Sequence, residues 1–406
     1  SAGFLIAARA FLAVGAAAMM PATLALIRVT FTDERERNIA IAIWGSLSVV
    51  GAALGPIVGG LLLARFWWGS VFLINVPVVI IAFSATLVVA PKMQGDASTQ
   101  WDVLSSLQAL VALSALVIAI KEMAHAGGSW PLPAASLAVA IVASAVFVRR
   151  QRRLTFPLLD FSIFRNNAFL SGTLAAAFSL FAIGGVELAT TQRFQLVADF
   201  TPLQAGLLVS VAALGSLPTA ILGGAYLHVI GLRILVAGGM AAGSLSILLT
   251  TWGLDHGIGW LIAGLFLMGA GVGACMSVAS TAIMGNAPVH RAGMASSVEE
   301  VSYEFGSLFA VTILGSLLAY LYTINVVLPD DAPVIARDSM AAATAAADAM
   351  ADGERLRATA RAAFDSAYRA VLYTAAAILA LGSLTTAILL RNYGLGSKSS
   401  AYETTH

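Results

Sequence analysis

Long uninterrupted apolar runs constrain this chain more than any other feature. "VFLINVPVVIIAFSATLVVA", "AASLAVAIVASAVFV" and "AVLYTAAAILALGSLTTAILL" approach or reach the length a helix needs to cross a bilayer, about 20 residues for about 30 Å of hydrocarbon. Inside lipid every backbone N–H and C=O must find its partner within the protein, so a spanning segment is a helix or a strand of a closed barrel. Continuous apolarity without a period of two excludes the lipid-facing barrel strand. The chain is therefore read as an all-α, polytopic membrane protein. Its composition agrees: 59% of the 406 residues are hydrophobic and only 11% charged, well away from the balance of soluble domains.

Eleven transmembrane helices are predicted near 4–27, 38–64, 70–90, 103–121, 131–148, 168–191, 203–227, 232–252, 258–285, 298–322 and 367–390. With their ends placed alternately, Arg35, Arg37, Arg149, Arg150, Arg152, Arg153, Arg165, Arg233 and Arg291 gather on one side, and Arg65, Lys121 and Arg193 lie in short loops on the other. The positive-inside rule makes the first side cytoplasmic and puts the C-terminus there as well. Three zones follow: 1–90 with three helices, 91–166 with two linker helices and basic loops, and 167–406 with six helices and the long outer loop 323–366. That loop is Ala-rich and helix-favouring, and Gly353 is expected to break it into a helical hairpin lying over the outer face. Ser1 is followed by an apolar run from position 4, with no initiating Met and no cleavable leader, so the sequence reads as the remainder of a longer chain.

Several chemistries lack support. Cys275 is the one cysteine and sits in an apolar run, which reads as a small core residue rather than a ligand. His125, His228, His256, His290 and His406 are scattered, so no metal site is predicted. There is no phosphate-binding P-loop and no Gly-x-Ser-x-Gly elbow. The expectation is no enzyme, no cofactor and no nucleic-acid partner, with the bilayer as surroundings and a monomer as the unit.

Two stretches carry information beyond membrane insertion. In "GAALGPIVGG", Gly51, Gly55 and Gly59 recur every four residues and form a face that allows another backbone to come close; Pro56 permits a bend there, and Gly60 completes the stretch. In "SSVEEVSYEFGS", Glu299, Glu300 and Glu304 stand together immediately before an apolar run. Ser296-x-x-Glu299 and Ser297-x-x-Glu300 match a capping box, which would make the acids first-turn residues at the interface. Glu300 and Glu304, however, are four apart on one face, and Glu304 lies deeper than a cap requires. A carboxylate withdrawn from water can exchange a proton for an organic cation. Arg9 lies within an apolar segment and needs an anionic partner or a route to the interface; residues 1–90 offer it no membrane-embedded acid. Glu187, in "FAIGGVELATTQRF", is either a rim residue paired with Arg193 or a cation site.

"GAALGPIVGG" resembles the antiporter signature of the major facilitator superfamily. "RFWWGSVFLINVP" resembles the tryptophan and Asn-x-Pro segment of its 14-helix drug:proton antiporter branch, and "FLIAARAFLAVGAAAMMPATLALI" is similar to that branch's fourth helix, with Arg9 and Gly15 in the motif positions. "SSVEEVSYEFG" resembles the thirteenth helix of the quaternary-ammonium and methyl-viologen efflux pumps, whose Glu-Glu pair matches Glu299 and Glu300 and whose later acid matches Glu304. The resemblance runs helix for helix from the family's fourth to its fourteenth, so it implies a bundle of major facilitator type lacking the first three. It implies proton-coupled efflux of lipophilic, cationic drugs and antiseptics across the cytoplasmic membrane, driven by the proton gradient. Two departures stand. The family's first three helices, with their acid and their Gly/Asp/Arg-rich loop, have no counterpart, which also opens a reading as a non-transporting membrane protein. Some relatives carry an acid in the tenth helix where "SVAALGSLPTAIL" has only Ser210 and Ser216, so the resemblance does not extend to divalent cations; Glu187 is instead an additional acid in the ninth. Export of an endogenous metabolite or siderophore is the alternative on the same fold.

Overall fold

The computed structural model describes residues 2–31, 36, 40, 51, 54–89, 102–123, 130–155, 157–287, 292–330, 332–350 and 353–394. Twelve helices organise them. They are α1 (Ala2–Thr30), α2 (Leu54–Arg65), α3 (Ser70–Val89), α4 (Val103–Met123), α5 (Pro131–Gln151), α6 (Asn167–Leu196), α7 (Pro202–Ile230), α8 (Ile234–His256), α9 (Ile258–Gly285), α10 (Ala292–Phe309, continuing through a π turn into Gly315–Asn325), α11 (Met340–Asp348) and α12 (Gly353–Leu389). There is no strand among the described residues. Nine of the helices are long and apolar enough to cross a membrane, and Gly3–Met19 and Leu54–Arg65 are shorter apolar stretches. The predicted second helix, 38–64, is described mainly in its later half.

α9 is the axis of the densest part of the molecule, with α7 on one side and α8 on the other. Small residues permit this. A Cβ at Gly269 would strike the Ala212 carbonyl of α7, and one at Gly271 would stand 2.6 Å from the Gly239 oxygen of α8. In lipid no hydrophobic drive separates helix–helix from helix–tail contact, so close van der Waals packing of backbones has to hold the bundle. α6, α10 and α12 close around this centre, burying Met268, Val272, Ile247, Leu372 and Leu379 almost completely.

The last crossing helix begins earlier than the predicted 367. α12 runs unbroken for 37 residues, about 55 Å at 1.5 Å per residue, so the second half of the outer loop is its extension. The stretch after Gly353 is rich in Ala, Leu and Arg and contains no further breaker until the membrane. α11 and the start of α12 lie close together: a Cβ at Gly353 would run into the Ala347 carbonyl, α11 starts with the Ser339 hydroxyl accepting from the Ala342 N–H at 3.1 Å, and Arg357 pairs with Asp348. Three further ion pairs tie α12 to one end of its neighbours: Arg193–Asp365 at 2.9 Å, Arg361–Asp199 at 2.8 Å and Arg369–Asp255 at 2.7 Å. Deeper in, the Tyr368 and Thr190 hydroxyls share a buried hydrogen bond of 2.9 Å.

The linker helices α4 and α5 pack on each other and are locked at one end by a polar knot. Arg150 donates to both oxygens of Asp102, at 3.0 and 3.1 Å. Ser105 also donates to Asp102 and accepts from the buried Gln151 at 2.7 Å. Gln151 in turn accepts from the Leu159 N–H at 3.2 Å, which carries the chain towards the start of α10, where the Asp160 N–H meets the Met294 sulfur at 3.3 Å. The bonds from Arg150 and Ser105 push the Asp102 pKa down to about 2. Its folded value is depressed, so the clamp is fully present above the ordinary carboxylate range and is lost only as pH falls through about 2.

Replacing Gly269 by Leu should overpack the α7–α9 contact at a cost of about 1–3 kcal/mol. The expected result is a lower melting temperature in detergent than that of the parent; an unchanged melting curve would show that α9 is not tightly held there.

Candidate functional site

The acidic stretch lies inside a helix rather than at its start. The helix is already running at Ala292, so Ser296 and Ser297 are interior residues and neither capping box forms. Glu299 stands about 10 Å along the axis from Ala292. The reason is local: "RAGMASS" offers no breaker after Gly293, and the Ala, Met and Ser that follow continue the helix without strain. Ser302, which could compete for backbone bonds, instead donates to the Val298 carbonyl at 2.6 Å within the helix.

The three carboxylates do not share one environment. Glu299 turns towards Ser280 of α9, and the Tyr303 hydroxyl donates to it at 3.5 Å from the next turn. Behind them Cys275 is fully buried, as expected of a core residue, and the Ser179 hydroxyl donates to its sulfur at 3.7 Å. Glu300 and Glu304 occupy the neighbouring stripe. Glu300 is half-buried and Glu304 exposed, and neither is hydrogen-bonded or ion-paired to any described residue. Ser280 is the contact that the sequence concealed, because nothing in an isolated α9 marks which of its small polar residues faces an acid.

Beyond the acids, α10 contains a π-helical turn, Ala310–Leu314, an irregularity frequent at functional positions. It is accommodated by Gly184 and Gly185 of α6, which lie against Ala310 and Leu314. Glu187 follows one turn later on α6, half-buried and without a partner among the described residues. The rim pair with Arg193 is not made, since Arg193 is engaged by Asp365 at 2.9 Å and lies over the Phe194 ring. Arg9 is exposed on α1 with its guanidinium carbon 5.3 Å from the centre of the Phe72 ring of α3, a cation–π contact in place of an ion pair.

The glycine-rich stretch is a close contact, but not through the face that its spacing indicates. Around Gly51, Gly55 and Gly59 no atom of a described residue, the helix's own backbone aside, lies within 4 Å of where a Cβ would stand. The contact belongs to the adjacent stripe. A Cβ at Gly60 would stand 2.5 Å from the Leu203 Cα of α7, and one at Gly206 of α7 would collide with the Pro56 carbonyl. Residues 56 and 60 are themselves four apart and share a face about 100° round the helix from 55 and 59. Periodicity alone cannot choose between two adjacent small-residue stripes; the partner helix does. Gly60→Leu should therefore force α2 off α7 and lower the melting temperature, whereas Gly55→Leu should leave it close to the parent. Equal effects of the two substitutions would refute this assignment.

Comparison with known proteins agrees with this architecture. The Major Facilitator Superfamily profile matches residues 1–311. The methyl viologen resistance protein SmvA of Salmonella typhimurium is 31% identical over 390 residues, covering 94% of this chain and 78% of that protein. The multidrug efflux pump LfrA of Mycolicibacterium smegmatis is 34% identical over 400 residues, covering 96% and 79%. The multidrug resistance protein Stp of Mycobacterium tuberculosis is 30% identical over 315 residues, covering 78% and 59%. The chain belongs to the Major Facilitator Superfamily and is a membrane-spanning transporter protein of that kind.

Proposed function

We propose that this superfamily member exports lipophilic, cationic drugs and antiseptics across the cytoplasmic membrane in exchange for protons. The observation that carries the reading is the pair Glu300 and Glu304, one turn apart on a membrane-crossing helix and free of any hydrogen bond or ion pair to a described residue. An unpaired intramembrane acid is costly and is a functional-site candidate by default. The named activities of the relatives, methyl viologen resistance and multidrug efflux, support drug export.

Two negative charges on neighbouring turns repel, and either a proton or a positively charged substrate relieves that repulsion. Competition between them is the coupling: the cation lowers proton affinity by the same factor by which protonation lowers cation affinity. Glu299, which accepts from Tyr303 at 3.5 Å and faces Ser280 of α9, has a supporting role. Glu187 supplies a second carboxylate further along α6, and Arg9 contributes a fixed positive charge on the opposite half. The Pro56 and Gly60 contact with α7 serves as the seam at which one half rocks against the other in alternating access. The gradient supplies the energy, no cofactor takes part, and the C-terminus is cytoplasmic.

The test is the pH change on adding a quaternary ammonium compound to the detergent-solubilised protein. The parent should release protons, Glu300→Gln should lose most of that release, and Glu299→Gln should keep most of it. The opposite ranking would transfer the principal role to Glu299, and no release from the parent with any lipophilic cation would favour export of an endogenous metabolite on the same fold.

A further inference from the structure

The arginines at the end of α5 divide into two kinds. Arg150 turns onto Asp102. Arg149, Arg152 and Arg153 are exposed and have no carboxylate partner among the described residues. They border a cavity of about 550 Å³ whose floor is Ser144, Ala145 and Val148. Towards the middle of the helix a second groove, about 480 Å³, runs between Val139, Val142 and Val146 of α5 and Leu107 and Val111 of α4. The two linings follow one another along α5 on adjoining faces, with 138, 139, 142, 143 and 146 centred about 100° round the helix from 144, 145, 148, 149, 152 and 153. Gln108 lines the second groove, and its buried side-chain oxygen has no hydrogen-bond partner.

We propose that α4 and α5 hold an anionic phospholipid, with its phosphate among Arg149, Arg152 and Arg153 and an acyl chain in the apolar groove. The two halves of the surface match the two halves of such a molecule. Guanidinium groups bind phosphate oxygens through paired N–H donors, and three of them at the end of a membrane-crossing helix meet the head-group layer, where anionic lipid is concentrated. The valine-lined groove leads from there into the hydrocarbon, as an acyl chain does. The unsatisfied Gln108 oxygen can accept from a head-group or glycerol hydroxyl. The Asp102–Arg150 clamp holds the ends of the two helices together, and so keeps the groove at fixed width. A soluble anion would use the arginines and have no need of the groove; a zwitterionic lipid would use the groove and bring no net charge.

Lipid binding is measured directly, so the outcome is independent of whether the protein pumps cations. The full 406-residue chain in detergent is titrated with phosphatidylglycerol or phosphatidylcholine of identical acyl chains, and separately with inorganic phosphate, and bound lipid is counted by native mass spectrometry. The parent should bind phosphatidylglycerol at least about tenfold more tightly than phosphatidylcholine, and R149Q/R152Q/R153Q should lose most of that preference. V142W, which fills the groove and leaves every arginine in place, should also weaken phosphatidylglycerol binding; it decides the matter if the triple variant does not insert. Equal binding of the two lipids by the parent, or a preference unchanged in the triple variant, would overturn the proposal. Displacement of the lipid by inorganic phosphate together with parent-like binding in V142W would also overturn it, in favour of a free-anion site.

Discussion

The close approach of the α9 backbone to α7 and α8 is the contact on which the rest of the bundle depends. Lipid removes the hydrophobic reason for helices to prefer one another, leaving dispersion, which falls off within an ångström of the optimum distance. Glycine and alanine at 212, 239, 269 and 271 bring the backbones within that distance. With α9 held there, its other faces receive α6 and present Ser280 to α10, so the environment of Glu299 follows from where small residues sit on another helix.

Charge is arranged by depth. At one end of the bundle, arginines and aspartates of α6, α8 and α12 find one another, and at the other end Arg150 finds Asp102. Exposed pairs of this kind contribute little each, roughly 0.2–1 kcal/mol, but together they fix the long α12 against its neighbours. Between these layers, Glu187, Glu300 and Glu304 are left without such partners among the described residues.

The linker pair adds a different kind of surface. Most of α4 and α5 is apolar and exposed, as befits helices facing lipid, yet one end gathers several guanidinium groups of which a single one is used within the protein. The Gln151 and Leu159 bond and the Asp160 contact with Met294 connect this end to the start of the acid helix. The linker helices are thus attached to the region that carries the carboxylates.

Much of the architecture was legible in the sequence because lipid imposes it: length and continuous apolarity demand helices, since the backbone needs internal hydrogen bonds, although of the eleven predicted crossings nine are of spanning length among the described residues. The close approach of Gly353 to Ala347 falls at the glycine that the sequence marks as a break among helix formers. Relations between helices were not. Spacing pointed to Gly51, Gly55 and Gly59, and the partner helix selected Pro56 and Gly60; serine and glutamate at capping-box spacing pointed to a helix start, and the helix had already begun at Ala292. The three neighbouring acids were separated into one facing α9 and hydrogen-bonded to Tyr303 and two left open among the described residues, and Arg193 was engaged by Asp365 rather than Glu187. A helix's own sequence determines that it forms and which residues share a stripe. Which stripe meets a neighbour, and so which carboxylate is bonded and which is left free, is decided only when distant segments pack, because the deciding atoms belong to the other helix.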